Sequence, residues 1–181
     1  MSFAPSQKQE SSRLMLIGPH RVFYYGLLGR PRIRNFGCAT LYVAEQEPLP
    51  INLGKGWKSA YVAWVPPYTP HQIRTADRHC AAVMLEPEYT DTEAVGTRIQ
   101  ESSEQGLDAL RTRILACVRL LQYMSPCRRI TDLEFDELLF GAPLPERRID
   151  PRVSNVVDRI CENTAESSSA SELASAEGLS M

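Results

Sequence analysis

The sequence predicts an α+β fold in which antiparallel strands come first and helices follow. Residues 13–88 contain short runs of β-branched, aromatic and aliphatic residues, separated by turns rich in glycine and proline. Beyond Pro87 the apolar residues recur at steps of three and four, and capping-box patterns precede them. A length of 181 residues suits one domain, or one domain with a small appendage, and an apolar share of 43% is enough for a packed core.

The spacing of the strand-like runs is typical of an antiparallel sandwich or a small barrel. Turns such as Gly18-Pro19, Gly54-Lys55-Gly56 and Pro66-Pro67 separate them, and no helical period competes in this region. The first twelve residues are polar, and we expect them to form a disordered leader. Seven strands are expected: Leu14–Ile17, Arg21–Leu28, Arg32–Ile33, Cys38–Ala44, Ala60–Val65, His71–Arg74 and Cys80–Leu85.

Residues 89–141 are predicted to form a helical connector, and residues 142–149 a linker. The clearest helix covers residues 107–124, because its apolar residues form one stripe. That stripe spans little more than two heptads, which is short for a free-standing coiled coil. The stripe must be buried against the strands or against a second copy of the chain, and we expect both, with a homodimer seam through Leu110, Ile114, Cys117 and Leu121.

The segment 150–181 begins with Asp150-Pro151, an N-cap followed by proline at the first helical position. Further on, Glu172-Leu173-Ala174 and Gly178-Leu179-Ser180 have the spacing of a helix-turn-helix. A small residue at Ala174 lets two helices approach, and Gly178 suits the positive φ of the turn. Leu179 would close the shared core, and Ser180 would cap the next helix.

These C-terminal residues, read as S-x-E-L-A-x-x-x-G-L-S after an Asp-Pro-Arg start, resemble the opening of the DNA-binding domain of AraC-family transcription regulators. The stretch Trp64–Ile73, with Val-Pro-Pro-x-x-Pro-His inside it, resembles a segment of that family's cupin-type sensor barrel. The resemblance implies a cupin-like barrel over 13–88 and the start of a helix-turn-helix domain over 150–181. It implies the effector-sensing and dimerising part of a regulator, in a truncated form without the DNA-reading helices.

If the barrel binds a small effector, aromatic and polar side chains on its strands are the candidates to line the pocket. In a small barrel such side chains can also simply fill the interior. Since Tyr24 and Tyr25 are adjacent on one strand, one must face inward and the other outward. The ligand-binding candidates are Tyr24, Tyr25, Tyr42, Trp64, His71 and Arg74.

The sequence holds no recognisable catalytic or cofactor pattern. Its three histidines, His20, His71 and His79, include no His-x-His pair with the carboxylate that a metal-dependent cupin needs. No nucleophile elbow or phosphate-binding motif occurs. The five cysteines form no C-x-x-C pair and are read as buried thiols. We therefore expect no enzyme activity, no cofactor and no metal.

Charge and hydropathy limit the partners. The net charge is −2, and residues 151–181 hold two basic against five acidic side chains, so this segment does not attract DNA by bulk charge. We expect DNA binding only in a full-length regulator. No apolar run suits a membrane span, and the N-terminus lacks a signal peptide, so a cytoplasmic protein is expected.

Two other functions remain open from the sequence. One is a cupin enzyme that processes a small molecule. The other is a stand-alone cupin module that binds a ligand or forms dimers. The identity of the effector and the target promoter do not follow from the residue pattern.

Overall fold

The computed structural model describes residues 13–75, 79–122, 130–162 and 169–178. In these ranges the chain forms eight strands and five helices, and every strand pairing is antiparallel. The predicted α+β class with antiparallel strands is thus confirmed. The expected leader at 1–12, the end of the stripe helix at 123–124, and Leu179 and Ser180 lie outside the described residues.

The strands form two sheets. The larger sheet has five strands in the order β1-β2-β8-β3-β6, and the smaller has three in the order β5-β4-β7. The bounds are β1 Leu14–Ile17, β2 Arg21–Leu27, β3 Ala39–Val43, β4 Leu49–Asn52, β5 Trp57–Ala60, β6 Val62–Val65, β7 Gln72–Ile73 and β8 His79–Leu85.

Most of the expected strands are present, with three differences. The segment Arg32–Ile33 is not a strand, and the Ile33 side chain is 70% exposed. Only its neighbour Arg34 makes an isolated bridge, to His71. Two strands were not expected, β4 and β5. β4 contains Pro50 and β5 is largely exposed, so neither carries the apolar run on which the strand prediction depends.

The register of the large sheet divides its residues between two faces. Phe23, Val83, Leu41 and Trp64 are aligned across four strands, and they belong to the core cluster that includes the helices. In the next row Tyr24, Ala82, Tyr42 and Ala63 point the opposite way. Three of these, with the exception of Tyr24, belong to the cluster shared with the small sheet. We call these two surfaces the helix face and the inter-sheet face.

Three helices cover the helix face: α1 Thr92–Glu101, α2 Glu104–Gln122 and α3 Asp132–Phe140. The side chain of Asp91 caps α1 by accepting from the amide of Ala94. Thr131 and Glu134 form a complete capping box at the start of α3. Gly141 ends α3 in the left-handed conformation, with φ at 80°.

A buried ion pair fastens α3 to β2. Arg21 donates to both carboxylate oxygens of Asp136, over 2.6 and 3.0 Å, and both side chains are almost fully buried. Asp136 also accepts from the amide of Leu144 at 3.0 Å. One turn earlier, Asp132 lies 3.2 Å from Arg21 and 2.6 Å from the His20 ring. The charges are therefore paired and hydrogen-bonded, as burial requires.

Residues 147–181 form a second compact unit, with its boundary inside the expected linker segment. It contains α4 Pro151–Glu162 and α5 Ala170–Ala176. The carbonyl of Asp150 accepts from the amides of Val153 and Ser154, which starts α4 at the proline. No helix in the described residues is both long and apolar enough to cross a membrane.

Candidate functional site

The inter-sheet face buries one polar pair among its apolar side chains. The Tyr42 hydroxyl lies 2.9 Å from Nε2 of His71, and both residues are 2% exposed. Tyr42 is held in the middle of β3 by hydrogen bonds from both neighbouring strands. His71 precedes β7 and is fixed by a pair of backbone hydrogen bonds to Arg34. The pair is thus positioned by elements on both sides.

The hydrogen bonds of His71 define its tautomer. Nδ1 lies 2.8 Å from the carbonyl oxygen of Thr69, which can only accept. In the neutral ring Nδ1 therefore carries the proton, and Nε2 accepts from the Tyr42 hydroxyl. Burial lowers the pKa of His71, the hydrogen bond to Thr69 opposes this, and the charge of Arg34 lowers the pKa further. A neutral His71 is the consequence.

Arg34 adds a cation beside this pair. One of its terminal nitrogens, Nη2, donates to the carbonyl of Leu28 at 2.6 Å. The other, Nη1, is buried and has no hydrogen-bond partner among the described residues. Burial raises the pKa of Tyr42, whereas the Arg34 charge lowers it. Arg34 thus leaves one buried donor unused, and its charge acts on both Tyr42 and His71, so these three residues are candidates to recognise a polar group.

Tyr24 lies on the same face as Tyr42, but its side chain folds back over its own strand, β2. Its hydroxyl donates to the carbonyl of Leu27 at 2.9 Å, and its ring covers Gly26. The expected alternation is confirmed, because Tyr25 points to the helix face. There the Tyr25 hydroxyl donates to the carboxylate of Glu45 at 2.5 Å.

Trp64 also lies on the helix face, where it packs against α1. A Cβ atom added to Gly96 would come within 2.5 Å of Nε1 of Trp64, so the indole fills the space that the missing side chain leaves. Arg74 is exposed and stacks over the Trp57 ring at 4.1 Å. The six ligand-binding candidates therefore do not lie together. Tyr42 and His71 are in contact, Tyr25 and Trp64 are on the opposite face, and Arg74 faces solvent.

The dimerisation candidates on α2 are mostly buried within their own chain. Ile114, Cys117 and Leu121 are buried in the core of their own chain, at 8% exposure or less, and Leu110 is half-buried against that core. The Cys117 thiol donates to the carbonyl of Leu138 at 3.1 Å. The part of the prediction that buries this stripe against its own chain agrees with the structure, and the homodimer seam stays a prediction.

The second unit has the local geometry that the helix-turn-helix spacing predicts. The Ser169 hydroxyl accepts from the amide of Glu172, and the Glu172 carboxylate accepts from the amide of Ser169, so the capping box is complete. Leu173 is buried and Ala174 half-buried. Gly178 has a positive φ of 65°, as expected for the turn. The Asn155 amide of α4 donates to Glu177 at 3.1 Å, which joins the two ends of this unit.

In the described residues, no three His, Cys, Asp or Glu side chains come together in a way that could hold a metal ion. His20 pairs with Asp132 and stacks on Tyr89, with ring centroids 3.4 Å apart. Sequence reasoning missed both this pair and the role of Arg34. The Asp132 partner of His20 is more than a hundred residues away in the chain, and no local pattern marks it.

No family model matches the chain, and no curated protein matches it either. Among solved structures, the protein NMB1881 from Neisseria meningitidis shares 16% identity, with a TM-score of 0.35 over 41% of this chain and 83% of that one. The protein TT1209 from Thermus thermophilus also shares 16% identity, with a TM-score of 0.33 over 46% of this chain and 90% of that one. At these TM-scores the two likenesses assign neither a fold nor a function.

Proposed function

We propose that the chain is the effector-sensing region of an AraC-type transcription regulator, followed by the first helices of its DNA-binding domain. In this proposal residues 13–88 form a cupin-like barrel that binds a small molecule. Residues 150–178 belong to a helix-turn-helix whose recognition helix, the helix that contacts the bases, would begin after Ser180. The resemblance in sequence suggested this function, and the geometry of two regions supports it.

The second unit is the observation that carries the proposal. Helix α4 starts at Asp150-Pro151, α5 starts at a complete capping box, and Gly178 takes the positive φ that the turn requires. A buried Leu173 and the contact from Asn155 to Glu177 give the two helices a shared side. A helix-turn-helix needs a capped first helix and a turn glycine with this spacing before its recognition helix.

The first compact unit, which ends at Glu146, supports a sensor with its ligand site between strands. The two antiparallel sheets face each other across a common apolar cluster. Between them lie Tyr42 and His71, the second of which belongs to the Val-Pro-Pro-x-x-Pro-His segment. We place the effector against these two residues and Arg34, since the unused Nη1 donor of Arg34 suits a ligand with an acceptor oxygen.

Selection of DNA from a random pool tests the proposal. The natural gene product that contains this chain should enrich a specific sequence with two half-sites. A variant of that product shortened to end at Gly178, before the proposed recognition helix, should enrich none, because base readout depends on that helix. Residues 151–178 also hold two basic against five acidic side chains, which disfavours contacts to phosphate.

Two substitutions give the control for this experiment. Gly178→Val forces a β-branched residue to a φ of 65° and should abolish enrichment by the natural gene product. Gly54 also has a positive φ but lies in a turn of the first unit, so Gly54→Val should keep the enriched sequence. The proposal is wrong if the folded natural product enriches no sequence, or if both variants behave alike.

A further inference from the structure

An apolar groove runs between α1, α2 and α3, separate from the inter-sheet face. Its volume is about 830 Å³. This lies within the range of roughly 300–1,000 Å³ that is usual for small-molecule sites. Its apolar lining includes Ile99 of α1, Leu110 and Leu120 of α2, and Leu138 and Phe140 of α3.

The groove exposes apolar surface that the described part of the chain does not cover. Leu120 is 58% exposed, and Ile99, Leu110 and Phe140 are only partly buried. Ala109 and Ala116 also line it, and their small side chains leave the space between the helices open. Its lining includes the Cys117 thiol, which is occupied by its hydrogen bond to Leu138. A ligand in this groove would therefore meet mainly aliphatic and aromatic carbon.

Two guanidinium groups line the same groove. Arg98 comes from the last turn of α1 and Arg113 from the middle of α2. Arg113 lies against Gly141, where an added Cβ would come within 2.9 Å of the guanidinium carbon. Within the described residues no carboxylate lies within ion-pair distance of either arginine, although Glu137 is also in the lining. The groove thus combines apolar walls with two positive charges that these residues leave unneutralised.

We propose that this groove binds a small apolar molecule that carries one carboxylate. The apolar part would lie along α2 between Leu110 and Leu120, and the carboxylate would accept hydrogen bonds from Arg113, with Arg98 as the second cation. Arginine suits this role because its planar fork matches the two oxygens of a carboxylate. The site is independent of the effector site between the sheets and of the proposed regulatory function.

The charges also argue against a second copy as the occupant. A two-fold dimer that packs groove on groove would bring two arginines from each copy into one seam, with only one Glu137 from each to balance them. Desolvating unpaired like charges opposes such an interface. A ligand with a single carboxylate on an apolar body would contact the apolar lining of the groove and would pair with its arginines.

Calorimetric titration of the 181-residue chain with octanoate tests the inference, and 1-octanol serves as the uncharged analogue. Octanoate should bind saturably with one site per chain, and 1-octanol should bind about tenfold more weakly or not at all. Arg113→Gln should weaken octanoate binding by about tenfold. Ala116→Trp, which places a large side chain in the groove, should abolish it.

Arg119→Gln is the matched control, since Arg119 is exposed on α2 but does not line the groove. It should leave octanoate binding unchanged. The inference is wrong if octanoate shows no saturable binding, if 1-octanol binds equally well, or if Arg119→Gln weakens binding as much as Arg113→Gln. It is also wrong if light scattering shows a dimer that Ala116→Trp dissociates, or if only a Glu- and Leu-rich helical peptide binds, because the groove would then be a protein interface.

Discussion

The two faces of the large sheet are buried to a similar extent, but they bury different chemistry. The helix face covers Phe23, Leu41 and Val83 with three helices, and its Arg21 is neutralised by Asp136. The inter-sheet face is covered by three short strands and encloses the Tyr42–His71 pair with Arg34 beside it. The difference shows that burial of side chains alone does not identify a binding site. Beside the Tyr42–His71 pair lies a buried guanidinium donor, Nη1 of Arg34, that has no hydrogen-bond partner among the described residues.

The largest effect should come from the helix face. Phe135 of α3 is fully buried there. Phe135→Ala should lower the free energy of unfolding by about 3–5 kcal/mol, because it removes a large apolar side chain and leaves a cavity. Urea denaturation measures this. Leu133 is on the same helix and is 53% exposed, so Leu133→Ala should change the unfolding free energy by less than about 0.5 kcal/mol. Equal effects would mean that α3 does not pack as described.

Two glycines of the helical layer should respond in opposite directions. At Gly96 an added Cβ meets the Trp64 indole at 2.5 Å, so Gly96→Ala should destabilise the protein by about 1–3 kcal/mol. At Gly106 the nearest atoms are 3.6 Å away, so Gly106→Ala should stabilise it by about 0.5–1 kcal/mol through helix propensity. Thermal denaturation of both variants shows whether each substitution lowers or raises the stability of the protein. A stable Gly96→Ala variant would contradict the close packing of Trp64 on α1.

On the inter-sheet face, Tyr42→Phe removes the donor to His71 and keeps the ring. The buried Nε2 then has no partner, and the free energy of unfolding should fall by about 1–3 kcal/mol. Tyr24→Phe is the control. It removes the hydrogen bond to the Leu27 carbonyl, which lies at the partly buried end of β2. Chemical denaturation should show the smaller loss for Tyr24→Phe. The reverse order would mean that the Tyr42–His71 bond does not stabilise the fold.

The smallest effect is a pH dependence. Burial lowers the pKa of His71 in the folded protein, so near and below pH 6.5 the unfolded chain binds more protons than the folded one. The free energy of unfolding should therefore fall as the pH drops through this range, by at most about 1.4 kcal/mol per pH unit from this group. Denaturation of the wild type and of His71→Gln between neutral and mildly acidic pH isolates the contribution of His71 to this pH dependence. An equal pH dependence in both proteins would contradict a neutral buried His71.

The sequence predicted elements wherever a local pattern is sufficient. The strands around Arg21–Leu27 and Ala39–Val43, the capping boxes at Thr131 and Ser169, and the αL position of Gly178 all depend on residues that are close in the chain. Strand β5 was missed because its residues are mostly exposed and carry no apolar alternation.

The site was less predictable for a different reason. Alternation along β2 correctly separated Tyr24 from Tyr25, but it cannot say which face a helix will cover. Trp64 and His71 look equally suitable in the sequence, yet one packs on α1 and the other faces the small sheet. Arg34 was not singled out, since its importance depends on a buried Nη1 without a partner among the described residues, which only the folded arrangement reveals.

The ion pair between Arg21 and Asp136 has a consequence for folding during synthesis. The two residues are 115 positions apart, and β2 itself pairs with β8, which is made much later. At a synthesis rate of roughly 5–20 residues per second, Arg21 leaves the ribosome several seconds or more before its carboxylate exists. Until α3 is complete, burying the helix face would enclose an unpaired guanidinium. We therefore expect the helix face to close only after Asp136 has been added, and Arg21 to stay in contact with water in shorter nascent chains.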